Sequence, residues 1–115
     1  MENTENILKL SKPIMINGEE RNQLKYDFEN MTARDKLEVG KRLKMDGFPI
    51  SVEEIDSDYH FYLFAGAVVK AENTTAKPED AIDISDLLRL NAKDTYKGAR
   101  LARNFFYQDS EAMEE

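Results

Sequence analysis

An α+β domain is what the sequence predicts: an N-terminal antiparallel β-hairpin followed by three or four helices packed around one small core. Three observations predict it. Apolar and polar residues alternate on both sides of Asn17-Gly18, helix start and stop signals recur from Thr32 onward, and one run, Tyr59 to Val69, is apolar enough to need covering.

The hairpin comes first. Asn17-Gly18 suits a two-residue turn in which both central residues take positive φ. In "ILKLSKPIMINGEERNQLKYDF", Ile14 and Ile16 share one face, and Leu24, Tyr26 and Phe28 alternate on the return strand. Pro13 lacks an N–H and belongs at an edge or a strand start. A lone hairpin is marginal in water, so helices are expected over its apolar face.

The first helix reads from "MTARDKLEVGKRLKMDGFP". Thr32 caps it, Asp35 sits in its first turn, and Gly47 with Pro49 stops it, with Leu37, Gly40 and Leu43 on one face. Ser51-Val52-Glu53-Glu54 has the capping-box pattern, which predicts a second helix running from there to about Glu72. "NTTAKPED" reads as a polar loop. Asp83 or Ser85 then caps a turn at "DLLRL", and Asn91 with Asp94 makes a further cap, which leaves one helix or two open. The whole chain, 1–115, reads as one domain, with 1–6 and the acidic 108–115 as solvated tails.

Composition narrows the function classes. The chain has 115 residues, no cysteine and a net charge of -7. The lack of cysteine excludes disulfides, thiolate metal sites and a cysteine nucleophile. The acidic balance disfavours nucleic acid, whose binding replaces counterions with Lys and Arg. Asp58 and Lys70 bracket only eleven apolar-run residues, against the roughly 20 that a membrane-spanning helix needs. "MENTENILKLSKP" does not have the basic and apolar regions of a secretory signal, which gives a cytoplasmic expectation.

Catalytic and metal signals are weak. His60 is the one histidine, with Asp56 a helical turn earlier, and a packing role is preferred over that of a carboxylate-oriented base. Asp56-Ser57-Asp58 resembles the start of a calcium loop, but Phe61 occupies the position that needs glycine. Asp80, Asp83 and Asp86 fit caps better than a cation cluster. No cofactor, metal or enzymatic activity is expected.

At 100° per residue, the last helix places Arg89, Lys93, Lys97, Arg100 and Arg103 on one side, with Leu87, Leu88, Gly98, Ala102, Phe105 and Phe106 on the other. In the middle helix, Phe61, Phe64 and Val68 point one way, and Ile55, Tyr59, Tyr62, Leu63 and Val69 nearly the opposite way. Ala65, Gly66 and Ala67 are small enough for close helix approach. A helix apolar on all sides is buried. The expectation is that the hairpin and the other helices surround it, the alternative being a face left bare for a partner.

The order of these features resembles the small tail assembly chaperones of tailed bacteriophages and related prophages. Three stretches carry the resemblance: "LSKPIMINGEE", "LKYDFENMTARDKLEV", and "DLLRLNAKDTYKGARLARNFF" with its L-x-x-L-x-x-x-D pattern. It covers about Leu8 to Tyr107. It implies a non-structural factor in the host cytoplasm, absent from the mature virion, that binds the long helical tape measure protein and keeps it soluble until tail tube polymerisation. It also implies that a frameshift-extended form recruits tail tube protein.

Helix-in-groove binding would use apolar anchors with charges around them. The expected partner-binding set is an apolar floor of Phe61, Phe64, Val68, Phe105 and Phe106, rimmed by Lys97, Arg100 and Arg103. Homo-oligomerisation is left open. The runner-up is a small acidic phage regulator that binds a host protein or mimics DNA, which needs a continuous carboxylate face. A minor virion component ranks third and an enzyme last.

Overall fold

Two consecutive residues with positive φ, Asn17 at 52° and Gly18 at 81°, make the turn that opens the fold. In the computed structural model, which describes residues 6–49, 52, 56–74 and 77–108, this turn joins β1 (Ile7–Ile16) to β2 (Glu19–Lys25). The strands pair antiparallel, with Ile16 opposite Glu19 and Leu8 opposite Leu24. Ile14, Ile16 and Leu24 are buried together, as the alternation requires.

In a two-stranded sheet β1 is an edge strand, where the sequence reading puts Pro13, while the end of β2 and the place of Asn6 depart from that reading. Leu10 to Pro13 stand opposite Asn22 alone, so Pro13 lies in a bulge inside β1, where its missing N–H costs no ladder bond. β2 ends at Lys25, and Tyr26 and Phe28 turn off the strand into a ring cluster. At the other end, the Asn6 carbonyl accepts the Tyr26 N–H at 3.0 Å, which ties Asn6 to the hairpin rather than to a tail.

Helix α1 (Ala33–Met45) starts on a reciprocal cap in which the Thr32 side chain accepts from Asp35 N–H and the Asp35 carboxylate accepts from Thr32 N–H. It ends at Gly47, with φ +95°, where Gly47 N–H reaches Lys44 O and Phe48 N–H reaches Leu43 O. The buried pair on α1 is Val39 and Leu43, while Leu37 is 71% exposed, so the predicted Leu37-Gly40-Leu43 face is corrected by a turn of the wheel.

Helix α2 (Ser57–Asn73) is the central element. Its N-cap is Asp56, in extended backbone, whose side chain accepts the Tyr59 N–H at 3.0 Å. The predicted capping box falls on Ser51, Glu53 and Glu54, outside the described residues. Every residue from Tyr59 to Ala65 is buried, as are Ala67 and Val68. The helix packs against α1, α4, a single-turn α3 (Ile84–Leu87) and β2. The expectation of a helix surrounded by the rest of the chain is the one realised.

Close approach explains the small residues. A Cβ at Gly66 would lie 2.7 Å from Val39 Cγ2 on α1, and one at Gly98 would lie 2.5 Å from the Phe64 ring. Gly98 belongs to α4 (Ala92–Arg103), a helix separate from α3, with Asn91 accepting the Asp94 N–H as its cap. Between α2 and α3, Asn73 clamps Ile82 by accepting its N–H and donating to its carbonyl, which ties the polar connection back to the end of α2. A 3₁₀ turn at Pro78–Asp80 lies within that connection, and α4 runs on into a π-helical turn, Asn104–Gln108.

Candidate binding groove

Among the described residues, the polar contact that spans the most sequence centres on Asp94, which is fully buried. Its carboxylate accepts the N–H of Ser11 at 2.9 and 3.0 Å and that of Lys12 at 3.4 Å, and the Lys97 ammonium stands 3.8 Å away. The bulge leaves these strand amides without β2 partners, and an ionised carboxylate is the strongest acceptor available for them. Asn91 Nδ2 donates to Ser11 Oγ beside it. The first and last of the three sequence stretches singled out above, "LSKP" and the closing Asp of L-x-x-L-x-x-x-D, therefore meet in space.

A second network holds α1, α2 and α3 together. Arg42 donates to both oxygens of Asp83, at 3.3 and 2.9 Å, and lies 3.4 Å from Asp46, which accepts from the Tyr62 hydroxyl at 2.7 Å. Arg42 and Ser85 hold the Asp83 carboxyl well below the usual carboxylate range. Burial, with the Asp46 hydrogen bond second, pushes the Tyr62 phenol up to about 12. Asp83 and Asp86 cap α3 reciprocally, as the capping reading expects of these two, while Asp80 ends the 3₁₀ turn before them. Among the described residues no group of three His, Asp or Glu is placed to hold a metal ion.

These networks position a groove between α2 and α4. One section, about 410 Å³, is lined by Phe48, Tyr62, Phe61, Leu88, Ala92, Thr95, Tyr96 and Ala99, with Ser57 and Asp58 from the start of α2. It continues past Ser57, Tyr96 and Ala99 into a section of similar volume lined by His60, Arg100 and Arg103. Phe48, Leu88 and Tyr96 are 41, 47 and 64% exposed, three large side chains that the other described residues leave partly uncovered.

The predicted floor is corrected. Phe64 and Val68 are fully buried and Phe61 nearly so, because Gly98 lets α4 lie directly on the Phe64 ring. Phe61 reaches the groove only at its base. Phe105 and Phe106 are half-buried against Phe28, with ring centroids 5.3 and 5.4 Å away, and close the core at its far end. Lys97 is drawn to Asp94. Arg100 and Arg103 stay exposed, and neither makes an ion pair among the described residues, so they alone keep the predicted rim position. His60 is buried, with its ring 5.3 Å from that of Tyr107, and Asp56 serves as the α2 cap.

Reading the sequence for one apolar face per helix missed Phe48, Leu88 and Tyr96. A signal was present: Ala92, Thr95, Tyr96 and Ala99 recur at i, i+3, i+4 and i+7, a second stripe beside the core stripe of Asp94, Gly98 and Ala102. Among the described residues no helix is long and apolar enough to cross a membrane. No family model, curated protein or solved structure matches the chain.

Proposed function

We propose that this protein is a non-enzymatic assembly chaperone, binding an apolar segment of a client through the α2–α4 groove. The observation that carries the reading is the cluster of Phe48, Leu88 and Tyr96, large exposed side chains around a groove with two arginines that make no ion pair among the described residues. Through the resemblance of its three sequence stretches to tail assembly chaperones, the client is the tape measure protein of a tailed phage, kept soluble until tube subunits enclose it. An apolar helical client of that kind precipitates when its faces are bare, and a small partner with apolar anchors shields it.

The acidic-regulator reading needs a continuous carboxylate face. Asp35, Glu72, Asp83, Asp86 and Asp94 are instead taken up in caps, ion pairs and the bulge clamp, which favours the chaperone reading.

Co-expression with the tape measure protein of a tailed phage tests it. The expected result is a shift of that client into the soluble fraction and its co-purification with this protein. A client that stays insoluble and does not co-purify overturns the reading.

A further inference from the structure

We infer that the groove takes an amphipathic α-helix of about three turns, with carboxylates at the end that meets Arg100 and Arg103. This rests on the binding role proposed above and specifies the occupant.

The backbone of the occupant follows from the walls. Both walls are helices whose amides are committed internally, so no strand edge is offered to an extended peptide. An extended segment pressed on this floor would bury N–H and C=O groups with no partners, whereas a helix satisfies its own. The α4 side of the floor is small, Ala92, Thr95 and Ala99, which permits close helix approach, and the bulk stands at the edges as Phe48, Leu88 and Tyr96. From Ala92 to Arg103 the wall rises roughly 16 Å, or about three helical turns.

The charge of the occupant follows from the charged residues that line the two sections. Arg100 and Arg103 line one section; Asp58 is the carboxylate of the other. A helix acidic at one end and neutral or basic at the other complements both, and the reversed arrangement sets like charges against each other.

A displayed library of amphipathic helical peptides, selected against the full chain, tests this. Enriched sequences are expected to carry apolar residues at i, i+3, i+4 and i+7 with Asp or Glu at one end. Fluorescence anisotropy should show at least a tenfold loss of affinity in an L88D/Y96D variant, whose side chains are exposed and whose fold is checked by circular dichroism. In R100E/R103E the preference should invert toward peptides with Lys at that end. Failure to enrich helical binders, indifference to end charge, or unchanged affinity in L88D/Y96D overturns the inference. So does a wild-type dimer in sedimentation that L88D/Y96D abolishes, which assigns the groove to a second copy. Binding that needs deletion of 109–115 overturns it too, in favour of the chain's own acidic end. The chaperone reading is separable: L88D/Y96D that still solubilises the tape measure protein sinks the groove assignment alone, and peptide binding without solubilisation by wild type sinks the chaperone reading alone.

Discussion

Asp94 is a charged side chain with no exposed surface in a domain that has little core to spare, and its role is to terminate the β1 bulge. Replacing it with Ala leaves the Ser11 amide without an acceptor and Lys97 without its carboxylate. Urea denaturation should show a loss of about 3 kcal/mol, with Asp94→Asn smaller because one acceptor oxygen remains. The cap role of Asn91 and Asp94 is legible in the sequence, but the clamp on residue 11 is not, since nothing local announces a partner 83 residues away. Other side chains set the pH range. The folded state lowers the Asp83 carboxyl through Arg42 first, and the Asp35 carboxyl through the Thr32 N–H first and Lys70 second. A depressed carboxyl stabilises the fold above its unfolded pKa of about 4, and that contribution drains away as pH falls below this value. Tyr62 has the opposite sign: raised to about 12, its neutral form stabilises the fold below the ordinary phenol value of about 10, and the contribution is lost as pH rises from there. Urea midpoints should therefore fall on the acid side below about pH 4 and on the alkaline side above about pH 10. The acid limb should shrink in R42A and the alkaline limb in Y62F.

Among the elements, α2 and α4 are held at a distance that only glycine allows. Gly98→Ala gains about 1 kcal/mol of helix propensity but drives a methyl into a Phe64 ring fully buried among Tyr26, Phe28 and Phe61. Overpacking of this kind costs about 1–3 kcal/mol, so a net destabilisation is expected from thermal unfolding. Gly98→Ala with Phe64→Leu should recover part of it. The elements themselves were readable because their signals are local: the Asn17-Gly18 turn, the Thr32 and Asn91 caps and the Gly47 stop all lie where the sequence places them. Which face of α1 is buried was not, because Leu37 and Val39 are equally apolar and only the position of Gly66 on α2 decides between them. The groove stripe on α4 was hidden for a related reason. Two stripes share α4, and a wheel carried from Leu87 through the break before Ala92 merges Leu88 with the core.

At the scale of the whole molecule, the hairpin depends on helices that come much later in the chain. Arg89 donates to the Met15 carbonyl, Asn17 donates to the carbonyls of Asp80 and Ala81, and Asp94 holds Ser11. A fragment of residues 1–90 keeps the turn and both strands but loses the clamp and the α4 cover. Hydrogen exchange should find the β1 amides protected in the full chain and exchanging within the dead time in the fragment, since an isolated two-strand hairpin is marginal. Equal protection in both would show that the hairpin stands alone.

The same clamp sets an order of events during synthesis. At about 5–20 residues per second, the 83 residues between Ser11 and Asp94 take roughly 4–17 s to translate. For that interval the strands exist without the carboxylate that anchors their bulge and without the cover that α4 gives β1. Native assembly therefore waits for α4, so the groove and the sealed core are completed by the same helix. A nascent chain therefore lacks the α4 wall of the groove until the helix that also covers β1 has been made.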